Sequence, residues 1–217
     1  MEKTYNTQFI CPFNLVVSGP SSGGKTELVL RLIEHADVMI SPKPDLIYYC
    51  YKVYQDRFKD VKGVSFFEGF DEEIISDANL KSRSVFLILD DLMCDIQEKS
   101  LLDLSLVYLH HKQVYPCFIC HNLYYSGLKN MRTISLSTTY NIILRNPRDK
   151  TGIRVLASQL YPGQTKWFLE AYKFANSQNY SYILIDSKPT QADEVRIRTR
   201  ILPGEDMICF IPHIKAK

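Results

Sequence analysis

Gly19, Pro20, Ser21, Ser22, Gly23, Gly24, Lys25 and Thr26 fit the pattern GxxxxGK(S/T) in full. Glycines at these positions let backbone N–H groups turn inward around a chain of phosphates, and a helix starting at Lys25 adds the positive end of its dipole. A lysine so placed reaches the β and γ phosphates, and the hydroxyl of the next residue is a ligand for Mg²⁺. The chemistry expected is therefore binding and cleavage of ATP, with Mg²⁺ as cofactor. A chance Gly-Ser turn is the alternative, and a strand just before the motif with a helix just after it argues against chance.

A magnesium held by Thr26 also needs a carboxylate from a neighbouring strand. Asp90 closes the most apolar run of the chain, Ser84-Val-Phe-Leu-Ile-Leu89, and is placed for that task. Asp91 then has a separate job, to orient or deprotonate the attacking water, or else it is a capping or solvated acid at a strand exit. His121 and Asn122 end a further run, Phe118-Ile-Cys-His-Asn122. Polar groups leaving a sheet at its carboxyl edge can sense the γ-phosphate, and they can equally be turn residues. Arg132, Arg145 and Arg148 are candidates for an arginine finger reaching a neighbouring subunit, against the plainer reading of surface ion pairs. His110, His111 and Lys112 close a helix, where cations suit the dipole.

Cys117 and Cys120 form a CxxC near these histidines, which raises a zinc site. They sit inside Val114-Tyr-Pro-Cys-Phe-Ile-Cys120, a buried strand by composition, and residues three apart on a strand face opposite ways. Core thiols are the better reading, and all six cysteines are expected to be free in a reducing compartment.

The elements that must position these groups alternate along the chain. Strands are expected at 13–18, 45–51, 64–67, 84–89, 114–120, 140–144 and 182–186. Helices are expected at about 25–35, 99–112, 152–161 and 165–177. The first helix would turn Leu28, Leu32 and Ile33 to the sheet. Continuous apolar strands mean burial on both faces, so the class is α/β with a mostly parallel central sheet flanked by helices and a C-terminal strand extension. Glu194 to Ile201 alternates strictly and predicts a half-exposed edge strand with its arginines on one face.

The length of 217 residues suits one domain over 1–217, with a core at about 13–188 and an edge-strand extension at about 189–217. A hydrophobic content of 46% and a charged content of 23% exclude a disordered, collagen-like or low-complexity chain. A net charge of +2 neither supports nor excludes nucleic acid. No apolar run is long enough to span a bilayer and the N-terminus lacks the layout of a signal peptide, so no membrane partner and an intracellular location are expected.

Taken in order, the P-loop, Asp90-Asp91, His110-His111, Cys120-His121-Asn122-Leu123-Tyr124, Arg132-Thr-Ile-Ser-Leu136, Asn146-Pro-Arg-Asp-Lys150 and Tyr182-Ile-Leu-Ile-Asp-Ser-Lys-Pro189 resemble a known group. The chain looks like the viral genome-packaging ATPases of the FtsK/HerA P-loop superfamily, of Maverick/Polinton and adintovirus type, and more distantly the poxvirus packaging ATPase. That resemblance runs from about Phe13 to Gly204. It implies a RecA-like P-loop NTPase core with an extra strand between the Walker A and Walker B strands. It implies a homo-oligomeric ring, pentamer or hexamer, that threads double-stranded DNA into a capsid through portal or vertex proteins. By the same resemblance Lys25 and Thr26 are Walker A residues, Asp90 and Asp91 Walker B, His121 and Asn122 the sensor pair, and Arg132 or Arg148 the finger. The site of action would be the host nucleus or a cytoplasmic virus factory.

Three features depart from the usual pattern: Cys120-His121-Asn122 stands where relatives read Thr-Gln-Asn, Lys112 where Arg is common, and Asp91 where Glu is frequent. Two other function classes compete. One is another P-loop ATPase, such as a helicase, an AAA+ initiator or a nucleotide kinase. The other is a structural or docking protein that binds ATP to fix its shape.

Overall fold

Strands that are apolar on both faces need cover on both sides, and the helices of this chain are divided between the two. A computed structural model describes residues 4–122, 134 and 137–212. In chain order the elements are β1 (Phe9–Ile10), β2 (Leu15–Ser18), α1 (Lys25–Glu34), α2 (Ala36–Met39), β3 (Ile40–Ser41), β4 (Leu46–Tyr51), β5 (Ser65–Glu68), α3 (Asp77–Leu80) and β6 (Val85–Asp90). They continue with α4 (Glu98–Leu102), α5 (Tyr108–His111), β7 (Val114–Cys120), β8 (Tyr140–Leu144), α6 (Lys150–Leu160), α7 (Thr165–Ala175), β9 (Tyr182–Asp186), β10 (Ile197–Thr199) and β11 (Ile208–Cys209).

Among the described residues the main sheet has nine strands in the order β11-β10-β9-β8-β2-β7-β6-β4-β5. From β8 to β5 all neighbours are parallel, while β9, β10 and β11 add on antiparallel. Strand β2, which precedes the Gly19–Thr26 loop, is separated from β6, which ends in Asp90, by β7, in the position of the extra strand that the resemblance implies. Successive residues of each central strand face alternate cores. Leu15 and Val17 belong to one core and Val16 to the other; Phe86 and Ile88 face the first, Leu87 and Leu89 the second. Helix α1 covers the first face through Leu28, Leu32 and Ile33; α6 and α7 cover the second through Ile153, Leu156 and Phe168. Among the described residues no helix is long and apolar enough to cross a membrane.

Two expectations need correction. The alternating segment at 194–201 is not a sheet edge: β10 is paired on both sides, and the edge belongs to β11. Its arginines are not aligned on an exposed face either. Arg198 is fully buried 3.3 Å from the equally buried Asp186, and also donates to the Val195 and Thr7 carbonyls. Arg196 is committed to the carbonyls of Asp186, Lys188 and Gln191. A polar position at every second residue reads as a solvated face, whereas here it marks a paired interior charge.

The helix expected over 99–112 is the second, since it is interrupted at Asp103–Val107 by a π-helical turn. There the Ser105 hydroxyl donates back to the Leu101 carbonyl at 2.7 Å and the Ser105 carbonyl accepts from Asn14 Nδ2 at 3.2 Å. Hydroxyl back-bonding and a carbonyl drawn out to a side chain both disturb the helical ladder.

Candidate functional site

Strands β2, β7 and β6 end at one level, because Ser18 pairs with Cys120 and Ile119 pairs with Asp90. The chain leaves each strand at the same edge, with Gly19 N–H donating to Cys120 O and Asp91 N–H to Ile119 O, both at 3.2 Å. Gly19, His121 and Asp91 thereby become neighbours, although sequence separates them widely.

The P-loop shape depends on glycine, as Gly19 and Gly24 show. A Cβ on Gly19 would lie 2.8 Å from Leu144 Cβ, so β8 leaves no room for one. Gly24 adopts φ +94° just before α1, a conformation that other residues resist. Among the described residues no side chain caps the start of α1, whose first N–H groups have no acceptor within the helix. This is a ready site for an anion.

Lys25 is buried, and its Nζ donates to the carbonyls of Gly19 (3.0 Å) and Pro20 (3.1 Å). Nζ also lies 3.3 Å from His121 Nδ1. An ammonium has only donors, so Nδ1 is the acceptor and the ring proton is carried on Nε2. That nitrogen faces Asp91 Oδ2 at 3.2 Å. His121 thus bridges the lysine and the second acid. Asp91 itself has φ +56°, a strained backbone held by its N–H bond to β7.

Asp90 is buried and accepts from two hydroxyls at the same oxygen, Oδ2: Thr26 Oγ1 at 3.2 Å and Tyr49 OH at 2.7 Å. Desolvation pushes its carboxyl above the usual carboxylate range, with the Tyr49 hydrogen bond opposing. Burial likewise pushes the Tyr49 hydroxyl well up, which keeps it a donor. A desolvated carboxylate beside a hydroxyl is a hard-oxygen donor pair short of positive charge, and it fits Mg²⁺.

These groups open onto one cavity of about 1120 Å³. It is lined by the P-loop and the start of α1, by Asp90, Asp91, Cys94, His121 and Asn122 from the ends of β6 and β7 and just beyond, and by Tyr180, Tyr182, Leu202 and Glu205 from the β9 side of the sheet. Ion pairs frame it: Arg57 with Glu27 (3.0 Å), Arg31 with Glu205 (3.5 Å) and Lys52 with Asp95 (2.7 Å). Exposed pairs of this kind add little stability and leave their cations open to a competing polyanion.

Of the residues singled out in the sequence, the P-loop from Ser21 through Thr26 lines this cavity together with Asp90, Asp91, His121 and Asn122. Arg148 lies elsewhere in the chain's own fold, exposed in the turn before α6 with its N–H on Asn146 Oδ1. Arg145 is likewise outside the cavity, donating to Asn179 Oδ1 at 3.1 Å. Arg132, with residues 123–133, lies outside the described residues. His110 and His111 end α5, exposed. Cys117 and Cys120 pack into opposite cores, and burial pushes the Cys120 thiol up to about 12 and Cys117 well above its usual value. Neither is a ready thiolate for a metal.

Tyr49 escaped the sequence reading. Its one available signal is a tyrosine in the middle of a buried strand, whose hydroxyl must find a partner.

A scan against models of known protein families finds no match, and a search of the curated proteins finds none. Solved structures do match. The chain is similar to B204, the DNA-packaging ATPase from Sulfolobus turreted icosahedral virus, with a TM-score of 0.57 at 10% identity over 94% of this chain and 99% of that one. It is similar to the genome packaging NTPase B204 from Sulfolobus turreted icosahedral virus 2 in complex with ATP-γ-S, with a TM-score of 0.55 at 12% identity over 94% and 98%. It also matches the cytoplasmic domain of EssC, with a TM-score of 0.50 at 14% identity over 95% of this chain and 41% of that chain. At these identities the likeness is one of fold. The chain has the mixed α/β fold of these P-loop NTPases, as its resemblance to the packaging ATPases leads one to expect.

Proposed function

We propose that this chain is an ATP-hydrolysing translocase that moves double-stranded DNA into a viral capsid. The observation that carries the reading is the convergence of Lys25, Thr26, Asp90, Asp91 and His121 on one cavity above the ends of β2, β7 and β6. Support for the DNA half comes from the fold shared with a DNA-packaging ATPase and from the ordered motifs in the sequence.

In this reading the N–H groups at the start of α1, Lys25 and Thr26 among them, hold the phosphates. Lys25 leaves the Gly19 and Pro20 carbonyls for the γ-phosphate, a stronger charged acceptor than either. Thr26 and Asp90 would hold Mg²⁺, which would supply neutralisation of phosphate charge. Asp91 orients the attacking water, and His121, with Asn122 beside it, registers the γ-phosphate as Lys25 departs. Arg132 or Arg148 of a neighbouring copy in a ring of five or six supplies transition-state charge. Capsid portal or vertex proteins would anchor the ring, in the nucleus or a cytoplasmic factory.

The test is steady-state ATP hydrolysis by the full chain, with Lys25→Ala as blank and Asp91→Asn as the chemistry-deficient comparison. Wild type turns over, Lys25→Ala does not, and Asp91→Asn binds ATP but hydrolyses it roughly 100-fold more slowly. Turnover in Lys25→Ala equal to wild type, or none in wild type, contradicts the proposal.

A further inference from the structure

The groups assigned to the chemistry come from the P-loop and the ends of β6 and β7, and the 1120 Å³ cavity exceeds what a phosphate chain alone would fill. Tyr180, between α7 and β9, lines the same cavity from the β9 side of the sheet. Its side chain is conspicuous: 70% of the residue is exposed, and its backbone sits at φ +59°, where a bulky residue is strained. The ring nevertheless has a fixed seat. A Cβ built on Gly24 would meet Tyr180 Cδ1 at 3.1 Å, so the ring edge rests over the last glycine of the P-loop.

The loop that presents it is pinned on both sides. Arg145 Nη1 donates to Asn179 Oδ1 and Arg145 N–H to Ser181 O, each at 3.1 Å, while the Ser181 hydroxyl donates to Gln178 O at 2.6 Å. The other aromatic residue on that side, Tyr182, is buried and its hydroxyl is committed to Glu205 Oε2 at 3.0 Å. Tyr180 is therefore the exposed aromatic face among the described cavity residues.

We infer that Tyr180 is the platform on which the nucleobase stacks, so that this loop distinguishes a nucleoside triphosphate from a bare triphosphate. The inference rests on the nucleotide-binding part of the proposed function. A phosphate chain seated on the P-loop and the α1 N-terminus carries its ribose and base into the remainder of the same cavity, and Tyr180 borders that remainder at Gly24. Every base has a π-face, so a single aromatic platform reads aromaticity more than base identity. The strained backbone of Tyr180 is of the kind that persists where surrounding structure holds it for a purpose.

Calorimetric titration of the full chain with ATP-γ-S and with tripolyphosphate, both with excess Mg²⁺, tests this. Tyr180→Ala removes the ring, Tyr180→Asn removes it with a residue that accepts positive φ, and Tyr180→Phe keeps it. In both ring-less variants ATP-γ-S binding falls roughly tenfold, tripolyphosphate binding stays within about twofold of wild type, and Tyr180→Phe binds both ligands normally. Unchanged ATP-γ-S binding in the ring-less variants, with Lys25→Ala binding neither ligand, overturns the platform and leaves the nucleotide site standing. An equal loss for both ligands makes Tyr180 a support of the P-loop and overturns it too. Wild-type protein that binds neither ligand overturns the nucleotide reading itself, and the platform with it.

Discussion

Tyr49 donates its hydroxyl to Asp90 Oδ2 across 2.7 Å, from a fully buried ring packed against Phe58 and Phe66. The donor comes from β4 and the acceptor from β6, adjacent parallel strands in which Tyr49 pairs with Ile88 and Tyr51 with Asp90. The carboxylate is thus oriented by the sheet before any ligand arrives. Thr26, which shares the same oxygen, can turn away to a metal while Tyr49 keeps its hold.

Removing that hydroxyl leaves a desolvated carboxylate short of a donor. Tyr49→Phe is expected to lower stability by about 2 kcal/mol in urea unfolding near neutral pH, and the loss should shrink when Asp90→Asn is already present. Equal losses in both backgrounds would separate the two residues energetically.

The His121 bridge makes a second prediction. Since Nδ1 accepts from Lys25 and Nε2 faces Asp91, a side chain that both accepts and donates can stand in for it. His121→Gln should keep kcat within about tenfold of wild type, and His121→Ala should lose roughly 100-fold with a smaller change in ATP affinity. An alanine variant with full kcat would reduce His121 to a turn residue.

Much of this site was legible because its parts are contiguous. The P-loop is a local motif, and Asp90-Asp91 and His121-Asn122 each follow an apolar strand, so their place at a carboxyl edge follows from the α/β pattern. Tyr49 was not, since it meets Asp90 from 41 residues away. Pattern alone also misread Arg198, because period-2 alternation does not distinguish a solvated arginine from one buried against Asp186. The break in the helix after Asp91 depends on Ser105 and Asn14, a contact spanning 91 residues.

Cysteine chemistry offers a direct probe of the cavity. Cys94 is exposed and lines it, Cys209 is exposed elsewhere, and Cys117 and Cys120 are buried. Thiol reagents should label Cys94 and Cys209 in the native protein while sparing Cys117 and Cys120, and ATP-γ-S with Mg²⁺ should slow labelling of Cys94 alone. Equal protection of Cys209 would point to a global change instead of occupancy of the cavity.

The strands that carry Tyr49 and Asp90 are tied at their other ends by Asp45, whose Oδ2 accepts from Ser84 N–H and Ser84 Oγ, both at 2.8 Å. The Ser84 side-chain and backbone hydrogen bonds hold the Asp45 carboxyl below its usual value. A depressed carboxyl contributes stability above its unfolded pKa of about 3.9, and that contribution is lost as pH falls through the folded value. Asp45→Ala should therefore melt below wild type near pH 6, with the gap narrowing toward pH 3 by roughly the lost ionic contribution. A gap that widened on acidification would contradict the assignment.

The most direct test of DNA movement is displacement of a triplex-forming oligonucleotide from linear duplex DNA, followed with ATP and Mg²⁺ present. The account predicts displacement by wild type, none by Lys25→Ala or Asp91→Asn, and none with ATP-γ-S in place of ATP. Wild-type protein that hydrolyses ATP in the same reaction and leaves every triplex in place would contradict the claim that this site drives movement along the duplex.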